Sequence, residues 1–163
     1  MTAWTKPSPP GSRRSDAALA QTMATVEMTF TPLPAHVRTA RLVATAVARR
    51  SGVPEALLDE VRLAVGEACS RAVEVHQEHC PAEPVRVALT GAGERFEVVV
   101  TNTAVGDDGM TWPPQPADGQ DPAALPAELG LAVIAGLADD VQVSRNGDGL
   151  SIRMSWPSGP PAG

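Results

Sequence analysis

Aromatic residues, cysteines and long apolar runs are scarce in this chain of 163 residues, and each scarcity excludes a class of protein. Aromatic residues make up only 3% of the chain and tyrosine is absent, which argues against a stacking platform for single-stranded nucleic acid. The net charge is −6, so the protein is a poor candidate for binding a phosphate backbone directly. Because no run of about 18 apolar residues occurs, we expect no membrane span.

The two cysteines, Cys69 and Cys80, form neither a CxxC pair nor a Cys/His cluster with the spacing of a zinc site. We therefore predict two reduced thiols in a cytoplasmic protein and no metal centre. Lys6, Arg13 and Arg14 lie near the start, but no apolar segment follows them, so this region does not resemble a signal peptide. Apolar residues make up 43% of the chain, a normal share for a globular domain.

Composition divides the chain into one regular domain and two tails. Residues 1–24 are rich in Pro, Ser and Ala and residues 157–163 in Pro and Gly, so we expect both segments to be flexible. Residues 25–156 form the domain, which is interrupted by the proline-rich and acidic residues 103–128. An interruption of this length inside a compact domain is typical of a functional loop or a disordered segment, and we predict a lid-like loop.

Apolar periodicity within the domain predicts a fixed order of strands and helices. This order is strand, helix, helix, strand, strand, loop, helix, strand, strand. The helices are expected at about 35–50, 54–76 and 129–137. The later strands are separated by short glycine-containing turns, which predict antiparallel hairpins. We therefore predict an α+β fold, a two-layer sandwich with a mostly antiparallel sheet and the helices on one face.

Four segments of the domain resemble a known family. They are DEVRLAVGEACSRAVEVH (59–76), FEVVVTN (96–102), ELGLAVIAGLADDVQVS (128–144) and GLSIRM (149–154). Their order is similar to the ATP-binding fold shared by gyrase, Hsp90 and histidine kinases, and most similar to the small bacterial anti-sigma factors that double as serine kinases. The resemblance implies a regulator that binds a sigma factor or its anti-anti-sigma antagonist, a kinase activity toward that antagonist, and a homodimer.

In that family, a Glu and, four residues later, an Asn share one face of the second helix. The Asn helps to hold Mg²⁺, and the Glu helps to activate the attacking hydroxyl. The matching residues are Glu67 and Arg71. Arginine has no acceptor atom and cannot ligate a metal, so we expect no Mg²⁺ here and a compromised base at Glu67. Two interpretations of Arg71 stay open, namely a helix ion pair with Glu67 or direct binding of a phosphate.

The other three nucleotide motifs of the family are also altered. The Asp that accepts a hydrogen bond from the adenine amino group is Asn102 here, and of the two glycines that follow only Gly106 is retained. Adenine recognition is therefore weakened, and a turned amide could read guanine instead. The phosphate-binding Gly-x-Gly motif keeps Gly130 but has Glu128 in place of its first glycine, and the last motif, Gly-Thr, keeps only Gly149.

Because all four motifs are altered, the resemblance implies weak ATP binding without Mg²⁺ and phosphoryl transfer that is lost or very slow. The expected function is an anti-sigma-like regulator that acts by binding a protein partner. Two alternatives stay open, an active ATP-dependent serine kinase and a nucleotide sensor without turnover.

The resemblance also points to a partner-binding surface on the first helix. In the kinase relatives an arginine of this helix contacts both the sigma factor and its antagonist, and the matching residue is Arg41. Arg38 lies one turn before it, and arginine is a favoured interface residue. The alternative is that both arginines are solvated charges on an exposed face. His76, near the end of the second helix, is interpreted as a capping or packing residue.

Overall fold

The structure is a computed structural model that describes residues 23–103, 125–146 and 149–160. These residues form strands and helices in the predicted order. The elements are β1 (Met23–Phe30), α1 (Pro34–Arg50), α2 (Leu58–His79), β2 (Val85–Ala92), β3 (Arg95–Asn102), α3 (Leu125–Leu137), β4 (Asp140–Asn146) and β5 (Gly149–Pro157). One turn of 3₁₀-helix, Glu55–Leu57, precedes α2. No helix in these ranges combines the length and apolarity that a membrane crossing requires.

The strands form one sheet in the order β1-β2-β3-β5-β4, and every neighbouring pair is antiparallel. Along β3 the buried residues alternate with half-buried ones, as expected for a strand with one face on the core. The buried face packs against α2, which contacts both β2 and β3. The predicted α+β fold with a mostly antiparallel sheet is therefore confirmed.

Helix α2 lies at the centre of the core because its apolar residues recur at helical spacing. Its buried residues include Val61, Ala64, Val65, Ala68 and Ala72. On the sheet side, large residues fill the core between the layers, among them Leu89, Phe96, Met154 and Trp156. The indole Nε1 of Trp156 also donates a 3.0 Å hydrogen bond to the carbonyl oxygen of Leu137, which anchors the end of α3 to β5.

Two helix boundaries differ from the sequence prediction. Helix α3 begins at Leu125, inside the segment expected to be a loop, and not at residue 129. Pro126 explains the early start, because its fixed φ suits the first turn of a helix and its missing N–H costs nothing there. Helix α2 continues past residue 76 and ends at His79. Its last turn therefore contains both His76 and His79. Cationic or hydrogen-bonding side chains are favoured at that end of a helix.

The C-terminal boundary also differs, because part of the segment expected to be a flexible tail is hydrogen-bonded to the domain. Strand β5 extends to Pro157, and the Ser158 amide donates to the carbonyl oxygen of Glu94 at 2.7 Å. The Gly159 amide donates to the carbonyl oxygen of Gly52 at 2.8 Å. Gly52 ends α1 with φ at +85°, and a Cβ there would lie 2.5 Å from the Gly159 oxygen, so only glycine fits this crossing.

Candidate functional site

The fold brings two of the predicted site residues together across helices α2 and α3. Glu67 is half-buried on α2, and its Oε2 atom lies 3.7 Å from the point that a Cβ on Gly130 would occupy. That distance is an ordinary van der Waals contact, so a Cβ would fit at this position. Gly130 leaves a small space beside the Glu67 carboxylate, but packing does not require a glycine there.

Asn102 lies at the end of β3, on the sheet face that the helices cover. It pairs with Leu150 on β5 and is only 4% exposed. The Leu150 amide donates a hydrogen bond to Asn102 Oδ1 at 3.3 Å. A backbone N–H can only donate, so this contact determines which end of the Asn102 amide is oxygen. The side-chain carbonyl is therefore engaged inside the protein.

Gly149 has a structural role that the sequence alone does not reveal. A Cβ at this position would lie 2.3 Å from the backbone oxygen of Asn102 and 3.4 Å from Cα of Thr103. Strands β3 and β5 approach so closely here that only glycine fits. The retained glycine of the last motif is therefore explained by packing between two strands, with no need for a ligand.

His76 connects α2 to the same end of β3. The Thr103 amide donates to His76 Nε2 at 3.2 Å, so this nitrogen is the acceptor of a neutral ring. The other nitrogen, Nδ1, then carries the proton and donates to the carbonyl oxygen of Glu83 at 2.9 Å. The ring is completely buried. This geometry agrees with the interpretation of His76 as a packing residue and adds a function, since it holds the chain in place directly after Asn102.

The two partner-binding candidates line a groove between α1 and α2 with a volume of about 240 Å³. We call it the arginine groove. Its lining residues are Pro34, Val37, Arg38, Arg41, Ser70, Val73, Glu74 and Gln77. Arg38 is exposed, whereas Arg41 is half-buried. Among the described residues no ion pair joins either arginine to a carboxylate, even though Glu74 lies on the same rim.

Arg41 is held in this groove by a notch in the facing helix. A Cβ on Gly66 would lie 2.1 Å from Arg41 Nε and 2.8 Å from its Nη2, so the guanidinium passes directly over the bare backbone of α2. The Nε atom is enclosed and has no hydrogen-bond partner among the described residues. Burial raises the pKa of the neighbouring Cys69 thiol to about 12, and the positive charge of Arg41 offsets part of that rise. Sequence patterning missed Gly66 because a glycine inside an apolar helix face carries no periodic signal.

Residues 30–156 match the family described as the histidine kinase-like ATPase domain. The chain belongs to this family. No curated protein sequence matches it. Among solved structures, the RsbU and RsbW domains of a Mycobacterium tuberculosis protein share 16% identity with a TM-score of 0.59, over 85% of this chain and 34% of that one. This chain thus spans about a third of the length of that solved chain. The SiaB–SiaC complex from Pseudomonas aeruginosa is matched with 15% identity and a TM-score of 0.58, over 88% of this chain and 95% of that one.

One residue of this histidine kinase-like ATPase domain is chemically unsuited to hold Mg²⁺ at the position that the resemblance gives to a metal ligand. Arg71 occupies the position that the sequence resemblance gives to a metal ligand, and a guanidinium offers only donors and a positive charge. Among the described residues no group of three or more His, Cys, Asp or Glu could hold a metal ion. Arg71 takes part in an interaction within the structure, and its two interpretations, an ion pair with Glu67 or direct binding of a phosphate, stay predictions.

Two of the predictions about this ATPase-family site fall outside the described residues. Gly106 is one of them, and most of the predicted lid, residues 104–124, is the other. Glu128 lies within α3, but only its backbone is described. Among the described residues the predicted site residues therefore form two pairs, Glu67 with Gly130 and Asn102 with Gly149, while the arginine groove is lined by other residues of α1 and α2.

Proposed function

We propose that this domain is an anti-sigma-type regulator that acts by binding a protein partner, a sigma factor or an anti-anti-sigma protein, with little or no phosphoryl transfer. Its place of action is the cytoplasm, where such partners are found. The observation that carries the proposal is the guanidinium of Arg41, which the Gly66 notch holds at the arginine groove without a carboxylate partner.

The cost of this arrangement supports a binding role. A half-buried arginine with an enclosed, unpaired Nε loses part of its hydration without gaining a hydrogen bond in the free protein. A partner that presents a carboxylate to Arg38 and Arg41 restores both charge balance and hydrogen bonding. The groove is large enough for one or two side chains, and its rim contains the apolar residues Pro34 and Val37.

The alteration of the nucleotide motifs supports binding in place of catalysis. The Mg²⁺ position carries Arg71, and the carbonyl oxygen of Asn102 already accepts a hydrogen bond from Leu150. An ATP-dependent kinase needs both metal and nucleotide held in a productive geometry. We therefore propose that nucleotide binds weakly and without Mg²⁺, and that any nucleotide modulates partner binding without turnover.

The decisive experiment measures the affinity of purified full-length protein for purified sigma factors and anti-anti-sigma proteins of the source organism. We expect Arg41→Glu to weaken binding at least about tenfold, because truncating or reversing an interface arginine commonly removes a dominant contact. Gly66→Ala is a second variant, since its Cβ must displace the Arg41 side chain while keeping the charge. Alanine also suits a helix interior, so the variant should remain folded.

Arg86→Glu is the matched control. Arg86 is exposed on β2, on the sheet face that points away from the helices, so its reversal should leave partner affinity unchanged. Equal binding by wild type and Arg41→Glu would refute the proposal, and so would a lack of binding to every member of the panel. Transfer of phosphate from ATP to a bound partner would support the alternative of an active serine kinase. A solution mass of twice 16.9 kDa would support the homodimer that the resemblance implies.

A further inference from the structure

A second groove lies between strand β1 and helix α1, and the proposed function makes no use of it. We call it the edge groove. Its volume is about 550 Å³, within the range of roughly 300–1,000 Å³ that is usual for ligand pockets. It shares no lining residue with the arginine groove, which lies between α1 and α2. The walls of the edge groove include Met28, Phe30, His36, Thr39, Val43 and Pro84.

The edge groove is open because β1 is the outermost strand of the sheet. Within the described residues β1 pairs with β2 and with no other strand. Its apolar residues Val26, Met28 and Phe30 alternate along the strand, yet Val26 is 39% exposed and the other two are only partly buried. Apolar side chains left half covered beside an unpaired sheet edge are typical of a surface that another segment covers.

His36 provides this apolar groove with a hydrogen-bond acceptor. Its Nδ1 lies 3.0 Å from the carbonyl oxygen of Thr31, and a carbonyl can only accept, so Nδ1 carries the proton. In a neutral ring Nε2 is then an acceptor, and none of the described residues donates to it. The ring also packs edge to face against Phe30, with the centroids 6.2 Å apart. An aromatic ring that carries an N–H donor suits these surroundings.

We propose that residues 1–22, which lie outside the described residues, fold back along the sheet edge and place the indole of Trp4 in the edge groove. Trp4 is the only aromatic residue in that segment. Its indole N–H is a donor without an acceptor and therefore complements Nε2 of His36. The Met28 thioether and the Phe30 ring are favourable contacts for an indole. The chain thereby covers its own sheet edge and leaves the arginine groove free.

The length of the segment suits this contact. Trp4 lies 19 positions before Met23, the first residue of β1. A flexible chain of that length has a root-mean-square end-to-end distance of about 22–26 Å. Phe30 lies about 23 Å from Met23 along the strand. A tether that matches the span gives the docking side chain an effective concentration of the order of millimolar. Leu19 spans at most about 14 Å from Met23 and cannot reach Phe30.

The distribution of charge favours the same arrangement. Residues 1–22 contain three basic residues and one acidic residue, so the rest of the chain carries the negative charge that makes the total −6. Glu27 on β1 and Glu83, directly before the groove residue Pro84, form no ion pair with any described residue. A basic segment is therefore attracted to this edge of the sheet.

The indole N–H resonances of full-length protein labelled with ¹⁵N-tryptophan test the proposal. The chain has three tryptophans, and the resonance that disappears in Trp4→Phe identifies Trp4. We expect this resonance to lie away from the position of free tryptophan. We also expect its exchange with solvent to be slowed at least about tenfold, because the N–H exchanges only while the groove is empty.

Thr39→Phe is the variant that blocks the groove, and Leu42→Phe is its matched control. Thr39 is exposed and lines the edge groove, so a larger side chain fills the space without disturbing the core. We expect it to move the Trp4 resonance to the position of free tryptophan. Leu42 lies on the same helix, is 63% exposed and lines neither groove, so its substitution should leave the resonance unchanged. Should Thr39→Phe fail to fold, the resonance in wild type still decides the question.

Three results would overturn the inference. The first is a Trp4 resonance at the position of free tryptophan in wild type. The second is an unchanged resonance in folded Thr39→Phe, which would place the indole elsewhere. The third is protection that depends on protein concentration, which would assign the groove to a second copy of the chain. None of them bears on the partner-binding proposal, which is tested separately with Arg41→Glu.

Discussion

Gly149 lies directly against the backbone of β3, and its replacement by alanine tests whether this glycine serves packing or a ligand. A Cβ there would lie 2.3 Å from the backbone oxygen of Asn102, whereas real Cβ contacts essentially never fall under 3.0 Å. The obstacle is a backbone atom of a paired strand and cannot rotate away. Strands β3 and β5 must therefore separate locally by roughly 0.7 Å or more.

The cost of that separation has two parts. Overpacking of a well-packed interior costs about 1–3 kcal/mol. The same movement lengthens the hydrogen bond from the Leu150 amide to Asn102 Oδ1, which adds about 1 kcal/mol. We therefore expect Gly149→Ala to lower the free energy of unfolding by about 2–4 kcal/mol, equivalent to a fall in Tm of about 5–15 °C for a domain of this size.

Urea unfolding followed by circular dichroism measures this difference, and two glycines of α3 serve as controls. A Cβ on Gly136 meets no heavy atom within 4 Å, and one on Gly130 meets only Glu67 Oε2 at 3.7 Å. Alanine is about 1 kcal/mol more favourable than glycine inside a helix, so both control variants should be slightly stabilised. A stability of Gly149→Ala within about 0.5 kcal/mol of wild type would refute the packing argument.

Three further predictions concern the buried side chains of His76 and Cys69. His76→Leu leaves the Thr103 amide and the Glu83 carbonyl without their partner, so we expect urea unfolding to show a loss of about 2 kcal/mol, and an unchanged midpoint would contradict the assigned hydrogen bonds. Because burial raises the pKa of Cys69 to about 12, iodoacetamide at pH 8 should label the half-buried Cys80 and spare Cys69 in folded protein; equal labelling would contradict this. An unburied thiol has an ordinary pKa of 9.0, so the contribution of the buried neutral Cys69 thiol to the free energy of unfolding should be fully present well below pH 9. It should decline between pH 9 and 12, because the thiol ionises in the unfolded chain before it ionises in the folded one, and Cys69→Ala should remove this decline.

Much of the fold follows from the sequence by itself, because local patterns carry it. Two local patterns are enough to predict a sheet layer and a helix layer, because each element must bury one face. They are the alternating apolar residues along β3 and the helical spacing of Val61, Ala64, Val65 and Ala68 on α2. The replacement of a metal ligand by Arg71 is equally visible in the sequence, because it depends only on the chemistry of one side chain. The predicted start of α3 was less accurate, because a proline such as Pro126 is compatible both with a loop before a helix and with the first turn of the helix itself.

The tertiary structure alone decided the roles of the site residues, because those roles depend on contacts between residues far apart in the chain. The sequence allowed Asn102 to present either end of its amide, and the register of β3 against β5 placed the Leu150 N–H on its oxygen. Gly149 is a motif residue in the sequence and a packing residue in the fold. Gly66 looked like an unremarkable helix residue until α1 crossed it and laid Arg41 over its bare backbone. Periodicity reports which face of an element is buried, but only the packed structure determines which atom lies against which.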